Sequence, residues 1–138
     1  MNYEILFGSA AKKRVELAII GVSGFNHSLL RYGSRNEQLS IRILCGRNTQ
    51  KCVDAYQSIG VDRNKIVVCK TAEEGLKAFN DGSFLVFDDV LLAMRMPVDA
   101  VIEGTGNPEA AAAHVLAAIE NGKHVVMVTK ESDSVAGS

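Results

Sequence analysis

Gly21, Ser23, Gly24 and Asn26 follow directly on the apolar run Val15–Ile20. A glycine-rich turn between a strand and a helix is where backbone can approach a phosphate closely and the first helical N–H groups can point at it. Read as G-x-G-x-x-G, the segment is Gly21, Ser23, Asn26; read as G-x-x-G-x-x-G, it is Gly21, Gly24, His27. Both frames depart from the pattern. A serine at position 23 puts a side chain where backbone should meet phosphate, although its hydroxyl is able to donate to the phosphate itself. Asn26 or His27 replaces the glycine that lets helix and strand touch, so looser packing is expected there. An ordinary strand-to-helix turn is the competing reading. Context favours the phosphate loop, because the turn follows the first strand of an alternating strand–helix chain.

Two more loops carry candidate chemistry. After the apolar run 41–45, the order Gly46-Arg47-Asn48-Thr49 lacks the acid that binds a ribose 2′-hydroxyl. Arg47 offers a guanidinium fork to a 2′-phosphate, with Asn48 beside it, which favours NADP over NAD. The alternative is a solvated arginine ahead of a helix. The third loop, EGTGNP at 103–108, follows another buried run. Gly104, Thr105 and Gly106 would lie at the carboxyl edge of the sheet, bordering the nicotinamide half of a dinucleotide. Plain turn chemistry is again the alternative.

Other chemistries find no motif: no P-loop, no H-E-x-x-H and no G-x-S-x-G. His27, His114 and His124 are scattered, and each reads as structural or solvated. Asp88 and Asp89 are adjacent carboxylates, of which one is expected to cap a short helix over 90–94. Cys45, Cys52 and Cys69 form no C-x-x-C pair and read as buried, reduced thiols of a cytoplasmic protein. The 138 residues suffice for one core, and 47% hydrophobic with 22% charged residues reads as globular. A net charge of −1 with scattered Lys and Arg argues against nucleic acid or an anionic membrane as partner.

These loops need elements to hold them. Apolar runs at 15–20, 41–45, 65–69, 84–87, 99–103 and 124–128 suit strands buried on both faces. Helix signals lie between them. Residues 49–59 place Cys52, Ala55, Tyr56 and Ile59 on one side. Thr71 to Glu74 form a capping box, ahead of a helix expected to bury Ala72, Leu76 and Phe79. Asn107-Pro108-Glu109 starts an alanine-rich helix expected to turn Ala112, Val115, Leu116 and Ile119 to the sheet. Leu91, Leu92, Met94 and Met96 read as core or as a domain contact. The alternation predicts an α/β, three-layer doubly wound, mainly parallel sheet of the Rossmann type. The expected strand order is 3-2-1-4-5, with 84–87 as third strand and 65–81 as an inserted strand–helix arm. Residues 1–13 read as a helix and linker, and 14–138 as the domain.

The run Val101-Ile-Glu-Gly-Thr-Gly106, the alanine-rich helix and AAIENGKHVVM at 117–127 resemble homoserine dehydrogenase-like oxidoreductases. These are the ones whose longer chains often carry a C-terminal SAF domain, and the glucose–fructose oxidoreductase superfamily shares the plan. The resemblance covers about residues 14–137 and is poorest at the glycine turn. It implies NAD(P) binding by Gly21, Ser23, Gly24, Phe25 and Asn26, with Arg47 at the adenosine ribose and Thr105 and Gly106 further along. It also implies a place near the reaction centre for Lys130, which otherwise reads as a surface lysine beside Glu131 or Asp133. Such relatives continue past the equivalent of Ser138 into a substrate domain. A carbonyl or hydroxyl substrate and most acid–base chemistry are therefore expected outside this chain, which alone is expected to be inactive; a homo-oligomer is compatible with this plan. A second reading keeps the scaffold as a non-enzymatic nucleotide-sensing or assembly module, and a third gives it to a CoA-type or nucleoside ligand.

Overall fold

A computed structural model of the chain describes residues 14–22 and 24–128. The expected helix and linker of 1–13, Ser23 and Lys130 lie outside the described residues. Within them the strands are β1 (Val15–Ile20), β2 (Leu39–Cys45), β3 (Ile66–Val68), β4 (Phe84–Phe87), β5 (Ala100–Glu103) and β6 (His124–Met127). The helices are α1 (Phe25–Gly33), α2 (Thr49–Ser58), α3 (Ala72–Asn80), α4 (Val90–Ala93) and α5 (Pro108–Glu120), with a 3-10 turn at Arg63–Lys65.

All pairings are parallel, and the order is β3-β4-β2-β1-β5-β6. With β4 in third place this contains the expected order, but the sheet has six strands rather than five. The inserted arm joins the sheet, with β3 as an additional edge strand beside β4.

Both faces are covered over β1, β2, β4 and β5, which is why those strands read as unbroken apolar runs, whereas β6 departs from the expected burial, with Val126 52% and Met127 42% exposed at the sheet edge. On one face Ala18, Ile20, Ile43, Cys45, Leu85, Phe87 and Val101 pack with Ala78 of α3, Met94 and Met96 after α4, and Ala117 and Ala118 of α5. On the other, Leu17, Ile19, Ile41, Leu44, Val86 and Ile102 pack with Leu30 of α1 and with Cys52, Val53, Ala55 and Tyr56 of α2. The helices that follow β1 and β5 thus cover opposite faces. A crevice opens between such strands at their carboxyl ends.

The β1–β2 register shifts once: Leu17 faces Ile41 and Ala18 faces Ile43, so Arg42 is the extra residue of a bulge. Its guanidinium donates to the carbonyls of Phe79 (2.5 Å) and Ser83 (2.9 and 3.1 Å) and stacks 4.1 Å from the Phe79 ring centre. That ties β2 to the end of α3.

Helix starts follow the sequence signals. Asn48, Thr71, Asp89 and Asn107 cap α2, α3, α4 and α5 through side-chain oxygens. The α3 box is not the reciprocal one expected, since Glu74 Oε2 accepts from the Lys70 N–H at 3.3 Å. Two helix faces differ from expectation. In α5 the buried residues are Ala111, Ala117 and Ala118, whereas Ala112, Leu116 and Ile119 are exposed and Val115 is half-buried. The helix lies on the sheet through methyl groups, and the larger side chains turn outward. In α3 the buried residues are Gly75 and Ala78, with Leu76 exposed. A Cβ at Gly75 would lie 2.7 Å from Phe87 Cζ, so α3 lies too close to β4 for a larger side chain at that position.

Candidate functional site

The carboxyl ends of β1, β2, β4 and β5 converge on a cleft of about 470 Å³. Gly21 and Val22 form one wall. Arg47, Asn48 and Lys51 come from the end of β2 and the start of α2, and Asp88 and Val90 follow β4. Thr105, Asn107, Ala110 and His114 come from the β5–α5 connection. The cleft therefore sits at the point where the sheet changes crossover direction.

The glycine turn is built by close approach. Gly21 has φ +88°, and a Cβ there would lie 2.8 Å from the Gly104 carbonyl oxygen. Its own N–H donates to the Cys45 carbonyl at 2.8 Å, so that amide faces the sheet rather than the cleft. Gly24, at φ +56°, is the N-cap of α1. It supplies no side-chain cap, and the first turn of α1 holds no acid, so among the described residues no side chain offsets the positive end of this helix.

Asn26 tightens the packing where looser contact was expected. It is 2% exposed, and its Nδ2 donates to the Ile20 carbonyl at 3.1 Å and the Gly21 carbonyl at 2.8 Å. A Cβ on Gly104 would lie 2.6 Å from its Cγ. The carboxamide thus fastens the turn from beneath, next to Gly104, and does not line the cleft. Its Oδ1 has no partner among the described residues. Phe25 is exposed and is not among the cleft residues either.

On the β2 side, Arg47 is exposed at the cleft wall. Asn48 Oδ1 accepts from the Lys51 N–H at 3.2 Å, so its side chain is engaged in capping α2. Lys51 also lines the cleft, a cation that the sequence reading passed over. It stands three residues after the cap, so the first turn of α2 brings it round to Arg47. On the β5 side Thr105 lines the cleft, while Gly104 and Gly106 shape the loop behind it. Asn107 Oδ1 accepts from the Ala110 N–H at 3.0 Å.

The sequence reading also missed a buried pair. Glu103 is 0% exposed, with Oε1 accepting the Thr105 N–H at 2.7 Å and Oε2 lying 2.5 Å from His114 Nδ1. His114 is thus structurally engaged, as expected of it, and it also borders the cleft. The signal available in the sequence was a lone acid ending an apolar strand, which requires a partner.

Asp89 Oδ1 accepts from the Leu91 N–H at 2.9 Å, the expected cap, and Asp88 pairs with Lys70 at 3.3 Å. Among the described residues no group of three His, Cys, Asp or Glu side chains is placed to hold a metal. The cysteines are buried and free. Burial pushes the thiols of Cys52 and Cys69 up to about 11, and that of Cys45 further still. None is set up as a nucleophile at neutral pH. No helix among the described residues is long and apolar enough to cross a membrane.

A second groove of about 470 Å³ lies at the opposite edge, lined by Arg14, Arg31, Arg35 and Arg42. It also takes in Ser34 and Ser58, where α1 and α2 end. Two of these arginines are engaged with backbone, Arg42 with the Phe79 and Ser83 carbonyls and Arg14 with the Leu39 carbonyl at 3.1 Å.

No protein-family model and no curated protein sequence matches the chain. Solved structures do match. A dehydrogenase from Chromobacterium violaceum superposes with a TM-score of 0.60 at 16% identity, over 83% of this chain and 28% of that one. The 1-deoxy-D-xylulose 5-phosphate reductoisomerase of Zymomonas mobilis, solved in complex with NADPH, gives 0.59 at 27% identity, over 91% and 34%. A homoserine dehydrogenase from Thiobacillus denitrificans gives 0.54 at 19% identity, over 91% and 26%. The chain thus spans about a third or less of the length of these structures, and the fold it shares with them is the α/β Rossmann type.

Proposed function

We propose that this chain is the cofactor-binding domain of a nicotinamide-dependent oxidoreductase. In this reading it holds NADP, in preference to NAD, across the carboxyl edge of the sheet. Hydride passes between the nicotinamide and a carbonyl or hydroxyl substrate held by a further domain, as in homoserine dehydrogenase-like enzymes. One observation carries the reading: a single cleft at the crossover reversal gathers a glycine turn and two cations, Arg47 and Lys51. The pyrophosphate would lie over the turn from Gly21 to Phe25, with Ser23 as a further donor. Arg47 and Lys51 would answer a 2′-phosphate, with Thr105 toward the nicotinamide half. Asn26, Asn48, Gly104 and Gly106 shape these contacts from behind, and Lys130 is assigned to the reaction centre. The chemistry of hydride exchange belongs to the cofactor; these residues bind and orient it.

The solved neighbours support the reading, being dehydrogenases and an NADPH-bound reductoisomerase. Equilibrium titration of the 138-residue chain with NADPH, NADH and AMP tests it. Saturable NADPH binding below about 1 mM, weakened at least tenfold by Arg47→Ala while NADH binding holds, is the expected result. No saturation by either dinucleotide at that concentration overturns it, and AMP binding alone points to the nucleoside reading. A non-enzymatic sensing module remains the second reading, favoured by the departures from the glycine pattern at Ser23 and Asn26. Tight dinucleotide binding with no hydride transfer by a protein that joins this chain to a further domain is its signature.

A further inference from the structure

Arg14, Arg31, Arg35 and Arg42 are spread along the sequence, yet all four line the groove at the amino ends of β1, β2 and β4. No acid lines it with them; Glu37 and Asp62, which flank its lining segments, stand outside it. Among the described residues none of the four arginines is in an ion pair. Like charges gathered around one groove repel, which costs stability unless something answers them. The fold answers in part. Helices α1 and α2 end at the groove, and each such end carries about half a negative charge. Backbone carbonyls take one donor group of Arg14, and Nε and Nη2 of Arg42. A carbonyl is a dipole and not a counter-charge, and two helix ends offset about one charge of the four, so roughly three remain. Arg31 and Arg35 are exposed, and their side chains have no hydrogen-bond partner among the described residues.

We propose that this groove is a second ligand site, distinct from the cofactor cleft, that binds a small organic molecule bearing a multiply charged oxyanion, carried as phosphate or as carboxylates. Arg31 and Arg35 hold the oxyanion through their guanidinium forks, and the spare donors of Arg14 and Arg42 border it. The size argues for a small molecule, since about 470 Å³ is the volume of a metabolite site and too little for a nucleic acid or a protein surface. Ile59 and Phe84 in the lining offer apolar contact to its organic body. The site stands at the other end of the strands that carry Gly21 and Arg47, so it is independent of the dinucleotide reading.

NMR of the arginine Nε–H signals, followed as the chain is titrated with inorganic pyrophosphate and separately with citrate in about 0.15 M salt, reads this site apart from the cleft. The signals of Arg31 and Arg35 should move and saturate with a Kd below about 1 mM, while that of the exposed Arg95, outside both sites, stays. Saturation by pyrophosphate alone assigns a phosphate ligand, and saturation by citrate assigns a carboxylate one; either supports the proposal. In a chain carrying Arg31→Gln and Arg35→Gln the calorimetric affinity for the same probe should fall at least tenfold, whereas Arg47→Ala should leave the Arg31 and Arg35 shifts as they are. Both replaced side chains are exposed, so the thermal midpoint of that variant should stay near that of the wild type. Failure of the Arg31 and Arg35 signals to saturate with either probe, shifts no larger than that of Arg95, or shifts lost in Arg47→Ala overturn the proposal. None of these outcomes touches the NADPH titration that tests the cofactor reading.

Discussion

At the end of β1 the Ile20 carbonyl is buried and that of Gly21 part-buried, and Asn26 Nδ2 donates to both. Replacing Asn26 by Ala takes the side-chain donor from the Gly21 carbonyl, leaves the Ile20 carbonyl with the Gly104 N–H at 2.9 Å alone, and opens a gap beside Gly104. The expected cost is about 2 kcal/mol, read from the urea midpoint. Asn26→Leu, which fills the gap but donates nothing, should cost a similar amount; if either change costs under about 0.5 kcal/mol, hydrogen bonding is not what Asn26 contributes. The role of Asn26 was illegible because its packing partner, Gly104, is distant in the chain and no local spacing announces it. The same holds for His114, whose meaning depends on Glu103 being buried beneath it. That Gly21, Arg47 and Thr105 meet in one cleft was legible, because each sits in a loop directly after a strand and topology alone carries such loops to one edge.

Helix boundaries were legible for a related reason: caps are local chemistry. Asn107→Ala removes the acceptor for the Ala110 N–H at the mouth of the cleft. It should cost about 1 kcal/mol, read as a lower thermal midpoint, whereas Asn107→Asp should cost little. An unchanged midpoint in the alanine variant would mean that the first turn of α5 is held by packing instead. The buried faces were harder to read. In α5 a stretch of alanines interrupted by Val115, Leu116 and Ile119 presents apolar groups almost all round, so periodicity does not choose a side. Distance chooses instead: the sheet approaches closely enough to admit Ala111, Ala117 and Ala118, and Leu116 and Ile119 are left 61% exposed. Gly75 in α3 obeys the same constraint against Phe87.

For the molecule as a whole, strand order followed from alternation and right-handed crossovers. The place of β3 did not, because a strand of only three residues carries too little pattern to specify a neighbour. The two-faced core buries three thiols, and this has a consequence for stability at alkaline pH. Burial raises Cys52 and Cys69 from 9.0 to about 11. A raised thiol favours the folded state fully below the unfolded value, and that contribution is lost as pH climbs through the folded value. The urea midpoint should therefore hold up to about pH 9 and drop between there and about 11, and a chain with Cys52→Ala and Cys69→Ala should show a shallower drop. Equal slopes in the two chains would assign the alkaline loss to other groups. Across this sheet Arg42 acts as a mechanical stop. For β2 to ratchet along β1 by a single residue, the bulge would have to pass Leu17 and the guanidinium would have to leave Phe79. The height of Arg47 above the glycine turn is thereby indexed from the middle of the strand that precedes it, by a side chain outside the cleft.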